Sequence, residues 1–269
     1  MKVIISRKGF DSQYGRTPSP IMPDGAMLSM PIPEYSNDRF EDLYYKEWSY
    51  LDIWEDLRPR QQEFAIYCHL DPDIRPNARD HKIKGWKPIF GQAGAAQAHL
   101  ENQGVAKGDL FLFFGWFRKT IEENGYLRYE KDAPDIHALY GYLQVGEVVR
   151  GDDVMKYPWH PHAIEDAIDN NTMYVASRKL TVGGKKLGIR GYGTFRYSDD
   201  IVLAMPGMSR SKWKLPDFFQ DVNISYHNKD SFKPEGYFKS VDKGQEFVVS
   251  EDERVTKWAL SIIESNIDD

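Results

Sequence analysis

The longest unbroken apolar stretch covers residues 110–117 (LFLFFGWF), and its lack of polar alternation predicts a strand buried on both faces. Lys107-Gly108-Asp109 turns the chain into it. A second run over 137–149 (HALYGYLQVGEVV) is equally rich in strand formers and alternates around Leu143, Val145 and Glu147. Further strands are expected over 2–6, 26–31, 64–70 and 172–177. Turn chemistry at Pro18-Ser19-Pro20 and Pro23-Asp24-Gly25 places a long loop after the first strand. Gly183-Gly184 marks a hairpin, and Asp199-Asp200, between Phe195 and residues 201–204, marks a second.

Helical periodicity is clearest near the end of the chain. Val255, Trp258, Ala259, Ile262 and Ile263 recur on one face, and Ser250 with Glu253 forms a capping-box pattern, predicting a helix over 251–265. Ala93, Ala96 and Leu100 predict a helix over 92–103 stopped by Gly104. Asn37 is the expected N-cap of a helix through Phe40, Leu43 and Tyr44 that ends at Leu57-Arg58-Pro59, and a short helix is expected over 163–169. Residues 205–245 are the least regular, broken by Pro206-Gly207, Pro216, Pro234 and Gly236. Many strands, few helices and no βαβ rhythm indicate an α+β fold. Its core is a mixed, mostly antiparallel sheet or partly open barrel with flanking helices. With no repeat and no linker, one domain over 1–269 is expected.

Composition narrows the function classes. At 269 residues and 41% hydrophobic content the chain can bury a sizeable core. Its apolar runs fall short of the about 18 residues of a membrane span, and the start lacks an apolar signal core, so a cytoplasmic protein is expected. The lone Cys68 has no partner for an internal disulfide and sits in an apolar run, where a thiol is inert. A net charge of −6 opposes coating of nucleic acid through bulk electrostatics but leaves local basic pockets open. The aromatic content is 14% and includes 16 Tyr and 7 Trp, which suits either a core of large rings or a pocket for a flat ligand. The chain has no GxxxxGKS/T phosphate loop, no GxGxxG, no HExxH and no CxxC. Without a CxxC it also lacks the zinc nucleobase deaminase pattern.

Three constellations carry candidate chemistry. Residues 6–15 (SRKGFDSQYG) pack Arg7 and Lys8, suited to an anion, beside Asp11, Ser12 and Tyr14, suited to a sugar or base; a capped surface turn explains the same pattern. His69, Asp71 and Asp73, with His160 and His162 far downstream, are donor types for a divalent metal. Pro72 interrupts that alternation, and in the absence of metal His69 or His160 is a candidate general base. Residues 209–213 (SRSKW) alternate Ser209, Arg210, Ser211 and Lys212 beside Trp213, a pattern that suits a phosphate with a stacked base. Trp116 and Arg118 close the apolar strand as a pocket wall, and Gln92, His99 and Gln103 line one side of the expected helix.

These segments together resemble a known family. SRKGFDSQYG with SPIMPDG, then HLDPD, FGQAGAAQAHL, GDLFLFFGWFR, HPHAIEDA and GMSRSKWKLP are similar to the nucleotide modification associated domain proteins of the third type, over nearly the whole chain. The resemblance implies a role in nucleotide or DNA base modification, in the phage and bacterial settings where such families occur, and transfers no catalytic residue. Residues 107–113 with 142–149 also resemble the core hairpin of small PUA-like barrels that read modified bases, which would place such a core over about 105–205. The expected protein is therefore an enzyme acting on a nucleotide or base. Arg7, Lys8, Arg210 and Lys212 are assigned to phosphate, Trp116 or Trp213 to the base, and Asp11, His69 or Asp71 to acid, base or ligand chemistry. A non-catalytic reader of modified bases and a structural subunit that binds partner proteins are the alternatives.

Overall fold

The computed structural model describes residues 1–163, 169–241 and 245–268; residues 164–168 of the expected helix over 163–169 lie outside them. Nine strands form one sheet: β1 (Val3–Arg7), β2 (Ser19–Ile21), β3 (Ile89–Gln92), β4 (Leu110–Glu123), β5 (Tyr126–Tyr129), β6 (Ile136–Arg150), β7 (Thr172–Ala176), β8 (Tyr192–Thr194) and β9 (Glu246–Val249). The order along the sheet is β9-β1-β4-β6-β7-β3, with β2 and β5 also on β4 and β8 on β6. β4 runs parallel to β1 and β2, and the remaining pairings are antiparallel. This is the mixed, mostly antiparallel α+β architecture expected from the strand pattern.

β4 and β6 are the axis of the sheet because long stretches of both are buried on both faces. Leu110 to Phe113 are fully buried and Phe114 nearly so, each contributing about 1.5–3 kcal/mol of burial. The two strands pair antiparallel, with Gln144 opposite Leu110 and Ile136 opposite Phe117. Register shifts at Leu139/Gly141 and Val145/Glu147 bend β6. The sheet does not close into a barrel, yet its two ends meet through side chains: Gln92 at the end of β3 donates its amide to Glu246 Oε1 at the start of β9, at 2.7 Å.

Among the described residues three α-helices flank the sheet: α1 (Tyr50–Leu57), α2 (Gly94–Asn102) and α3 (Glu253–Asn266). α3 buries Val255, Ala259, Ile262 and Ile263, the predicted face. Asp252, rather than Ser250, caps it by accepting from the Arg254 N–H, because the Ser250 hydroxyl accepts from Asn223 instead. α2 ends as predicted, with Gly104 at φ +64° after Gln103.

The helix expected from Asn37 begins later. Asn37 donates its side chain to the Pro158 carbonyl, and Ser49 with Asp52 supplies a complete capping box, so α1 starts at Tyr50. Before it, only Phe40–Asp42 forms a 3-10 turn, among two-residue strands. The strand expected over 64–70 shortens to Tyr67–Cys68. Residues 26–31 make isolated bridges instead of a ladder. Thr181–Val182 and Lys185–Lys186 form the Gly183-Gly184 hairpin, whereas Asp199–Ile201 is a 3-10 turn, since Phe195 bridges Ile267 and Val202 bridges Ala138. Cys68 is fully buried, and burial holds its thiol well above the ordinary value. Among the described residues no helix is long and apolar enough to cross a membrane.

Candidate functional site

β1 delivers Arg7 and Lys8 to a tight loop over 8–17. Asp11 builds this loop, with Oδ1 accepting from the Gln13 and Tyr14 N–H groups at 2.7 Å each and its own N–H donating to the Tyr14 carbonyl at 2.8 Å. Gly15 has φ +70°, and a Cβ there would stand 2.3 Å from the Phe10 ring, so the turn requires glycine. One Asp11 oxygen is thus committed to loop shape.

Two cavities adjoin the loop, and Arg7 and Asp11 line both. The smaller, about 250 Å³, lies where β3 and β9 approach each other. Lys8, Tyr14, His69, Asp71, Gln92 and His162 line it as well. Its wall holds a buried ion pair, Lys8 Nζ to Glu246 Oε1 at 3.0 Å, with the ammonium 4.4 Å from the Phe90 ring centroid. Lys8 is therefore engaged by a carboxylate, a partner that the sequence assignment to phosphate does not anticipate.

In this cavity one donor-type atom from each of His69, Asp71 and His162 lies within 4.8 Å of the others, so that among the described residues these three are placed to hold a metal. The His69 and His162 rings meet edge to face with centroids 5.1 Å apart. Asp71 Oδ1 accepts the Gly91 N–H at 2.6 Å. A Cβ on Gly91 would come 2.0 Å from His162 Cδ2, so the imidazole fits against β3 only because glycine is there. Burial, outweighing the pull of Asp71, lowers His69 to about 3 and His162 to about 4, so both are neutral imidazoles near neutral pH.

His160 stands behind this group and does not join it. It is fully buried, its Nε2 lies 3.5 Å from Asp71 Oδ1, and burial lowers it to about 3. Asp73, expected on the same side as His69 and Asp71, turns away to Arg79 Nη1 at 2.8 Å and Trp86 Nε1 at 3.0 Å. Its backbone connects to β3, where Asp73 and Ile89 exchange hydrogen bonds.

The larger cavity, about 610 Å³, is lined by Ser12, Trp116, His137, Ser209, Arg210 and Ser211 in addition to Arg7 and Asp11. The Arg210 guanidinium lies 4.2 Å from the Trp116 ring centroid. Lys212 and Arg118 do not line it: Lys212 sits 4.6 Å from the Tyr237 ring centroid, and Arg118 lies over Tyr129 while facing Asp135, itself a wall residue. Trp213 is corrected outright as a base-stacking residue. It is 1% exposed, packed against Phe114 and Phe247, and its indole N–H donates to His137 Nδ1 at 3.1 Å.

His137 supplies a pH prediction. Burial first, then Arg210 and Arg7, lowers it to about 3, so between that value and its ordinary 6.5 the unfolded chain binds a proton that the folded chain does not. Stability from this group is full above about pH 6.5 and lost as the pH falls, by about 2 kcal/mol between about pH 7 and pH 5. Urea unfolding of wild type and His137→Asn at both pH values checks it: the variant should lose less on acidification, and equal losses would refute the assignment.

Residues 2–250 match the protein-family model described as nucleotide modification associated domain 3. The chain belongs to the nucleotide modification associated domain 3 family. No curated protein and no solved structure matches it. The family match spans both cavities, from Arg7 through Gln245.

Within this nucleotide modification associated domain, the wall residue Gly91 and two residues that hold wall residues, Glu246 on Lys8 and Asn171 on His162, carry no sequence signal of their own. Glu246 reads as an ordinary strand residue, Asn171 as a turn, and Gly91 as a glycine between apolar neighbours. Only the IFGQ run of β3, with a glycine inside a strand, hints at a close approach.

Proposed function

We propose that this nucleotide modification associated domain 3 protein acts on a nucleotide or a nucleic-acid base held in the larger cavity. The observation that carries the reading is the Arg210–Trp116 pair lining the same cavity as Arg7. A guanidinium laid on an indole offers a cationic plane on which a base stacks or a phosphate docks, and Arg7 adds a second cation. Ser12, Ser209 and Ser211 bring hydroxyls for sugar or phosphate oxygens. The smaller cavity, reached along the shared Arg7–Asp11 wall, brings His69 and Asp71 as candidate acid, base or ligand groups. The net charge of −6 favours one nucleotide, or one base displaced from a strand, over extended contact with a duplex.

Calorimetric titration with nucleoside mono- and triphosphates, modified nucleosides and short single-stranded DNA tests this. Saturable binding of at least one probe is expected, weakened by about 1–3 kcal/mol, or roughly 5- to 150-fold, in Trp116→Ala and in Arg210→Ala. Failure of every probe to bind, or affinities unchanged in both variants, would overturn it. Recovery of the bound probe chemically unaltered after long incubation would assign the protein to recognition instead of catalysis.

A further inference from the structure

We infer that His69, Asp71 and His162 bind a divalent first-row transition-metal ion whose remaining coordination positions open into the cavity lined by Arg7, Lys8 and Tyr14. The inference stands on this cluster alone and does not depend on the nucleotide reading.

The separation of the donors fits one ion. Donor atoms at about 2.0–2.2 Å from a common metal lie within about 4.4 Å of one another, and these donors all lie within 4.8 Å of one another, so at most small side-chain shifts separate them from one ion. The three residues reach the point from two distant segments. His69 and Asp71 come from a loop anchored by the His69 N–H on the Ile32 carbonyl and by the Asp73–Ile89 bridge, and His162 comes from the Pro161–Ala163 turn.

The surroundings orient each donor as metal sites do. Asn171 Oδ1 meets His162 Nδ1 at 2.7 Å, and the same amide donates Nδ2–H to the His162 carbonyl at 2.6 Å. The second bond fixes which end of the amide faces the ring. Nδ1 therefore carries the proton and Nε2 the lone pair, the tautomer that binds metal through Nε2. His69 Nδ1 lies 3.5 Å from Glu34 Oε2, which favours the same tautomer there. The Gly91 N–H holds the Asp71 carboxylate at 2.6 Å. Gly91 has no Cβ to collide with the His162 ring, so the strand backbone itself makes room for the donor.

The donor set selects the class of ion. Two imidazoles and one carboxylate suit Zn²⁺, Fe²⁺, Mn²⁺ or Co²⁺, whereas Mg²⁺ and Ca²⁺ prefer oxygen donors throughout. Three protein donors among the described residues leave positions for an exogenous ligand, the pattern of an open site. Arg7 on the cavity wall, with Lys8 already paired to Glu246, is the cation that favours an anionic ligand there.

Untagged full-length protein, stripped with a chelator, is titrated with Zn²⁺ by calorimetry and with Co²⁺ by visible absorption. One ion per chain is expected, with Mg²⁺ and Ca²⁺ unable to compete. Asn171→Ala should weaken Zn²⁺ binding by about 10- to 100-fold, Asp71→Asn and His162→Ala by more, and His81→Ala, at an exposed histidine beside Asp80, not at all. Sub-stoichiometric binding, or affinity unchanged in Asp71→Asn and His162→Ala, would overturn the site. Because substitution at buried positions can cost folding, the zinc-loaded wild type is also read by X-ray absorption. Nitrogen and oxygen donors at about 2.0–2.1 Å with scattering from two imidazoles are expected; a sulfur shell, or fewer than two imidazoles, would exclude this assignment.

Discussion

Arg79→Ala is expected to lower stability by about 3–5 kcal/mol, because it leaves buried carboxylates without their cation. Arg79 grips Asp38 with a two-pronged contact, Nε to Oδ1 at 2.6 Å and Nη2 to Oδ2 at 2.7 Å, and reaches Asp73 with Nη1 at 2.8 Å. All three side chains are under 10% exposed. One guanidinium serves two carboxylates, and burial pushes Asp73 up to about 6. A raised carboxyl binds its proton more readily in the folded than in the unfolded state. Stability on its account is therefore present at acid pH and declines as the pH rises through the window up to about 6. In Arg79→Ala the loss should accordingly shrink on acidification. Arg79→Lys keeps the charge but not the fork and should fall between. Urea unfolding at two pH values measures all of this; a deficit under about 1 kcal/mol would mean that the carboxylates find other partners. The consequence reaches the site, since Asp73 lies on the loop that presents His69 and Asp71.

Lys8→Met should cost a comparable amount, about 3–5 kcal/mol, by stranding Glu246. The Lys8 and Glu246 side chains are 9% and 1% exposed at 3.0 Å separation, and Glu246 Oε2 already has no hydrogen-bond partner. Water cannot take over from the ammonium at so buried a carboxylate. The double substitution Lys8→Met with Glu246→Leu removes both charges and should recover most of the loss, because an apolar pair of similar volume avoids the desolvation penalty altogether. A double-mutant cycle by chemical unfolding gives the coupling directly. If the single variant is as stable as wild type while nucleotide affinity collapses, Lys8 is a phosphate ligand first and the ion pair is incidental. If the double variant regains stability and keeps affinity, Lys8 serves the seam between β3 and β9.

Local pattern determined a good part of this molecule. Uninterrupted apolarity at 110–117 specified a strand buried on both faces, and strand formers at 137–149 specified its partner, which also buries His137 and Gln144. The apolar face of α3, the Gly104 stop of α2 and the Gly183-Gly184 hairpin are equally local, since each depends on residues within a turn or two of one another. The chemistry around Arg7, His69, Asp71 and His162 was visible as residue types at suggestive spacings, and the family membership was visible as a set of motifs. Competition between neighbouring caps was not: Asn37 and Ser49 both satisfy a cap pattern, and Asn37 is taken by Pro158 across the fold.

Tertiary structure alone decided which candidates meet. Sheet curvature brings Gln92 to Glu246, and Glu246 claims Lys8, which the sequence offers to phosphate. Trp213 looks amphipathic beside its cationic neighbours, yet its ring completes an aromatic core cluster with Phe114 and Phe247. Asp73 shares a sequence alternation with His69 and Asp71 but is drawn aside by Arg79. Propensity and periodicity act over one or two turns of chain, whereas buried charge must find its partner wherever the packed sheet places one. The sequence by itself therefore determined the strands, the terminal helix and the inventory of donors, and the packed sheet decided their pairing.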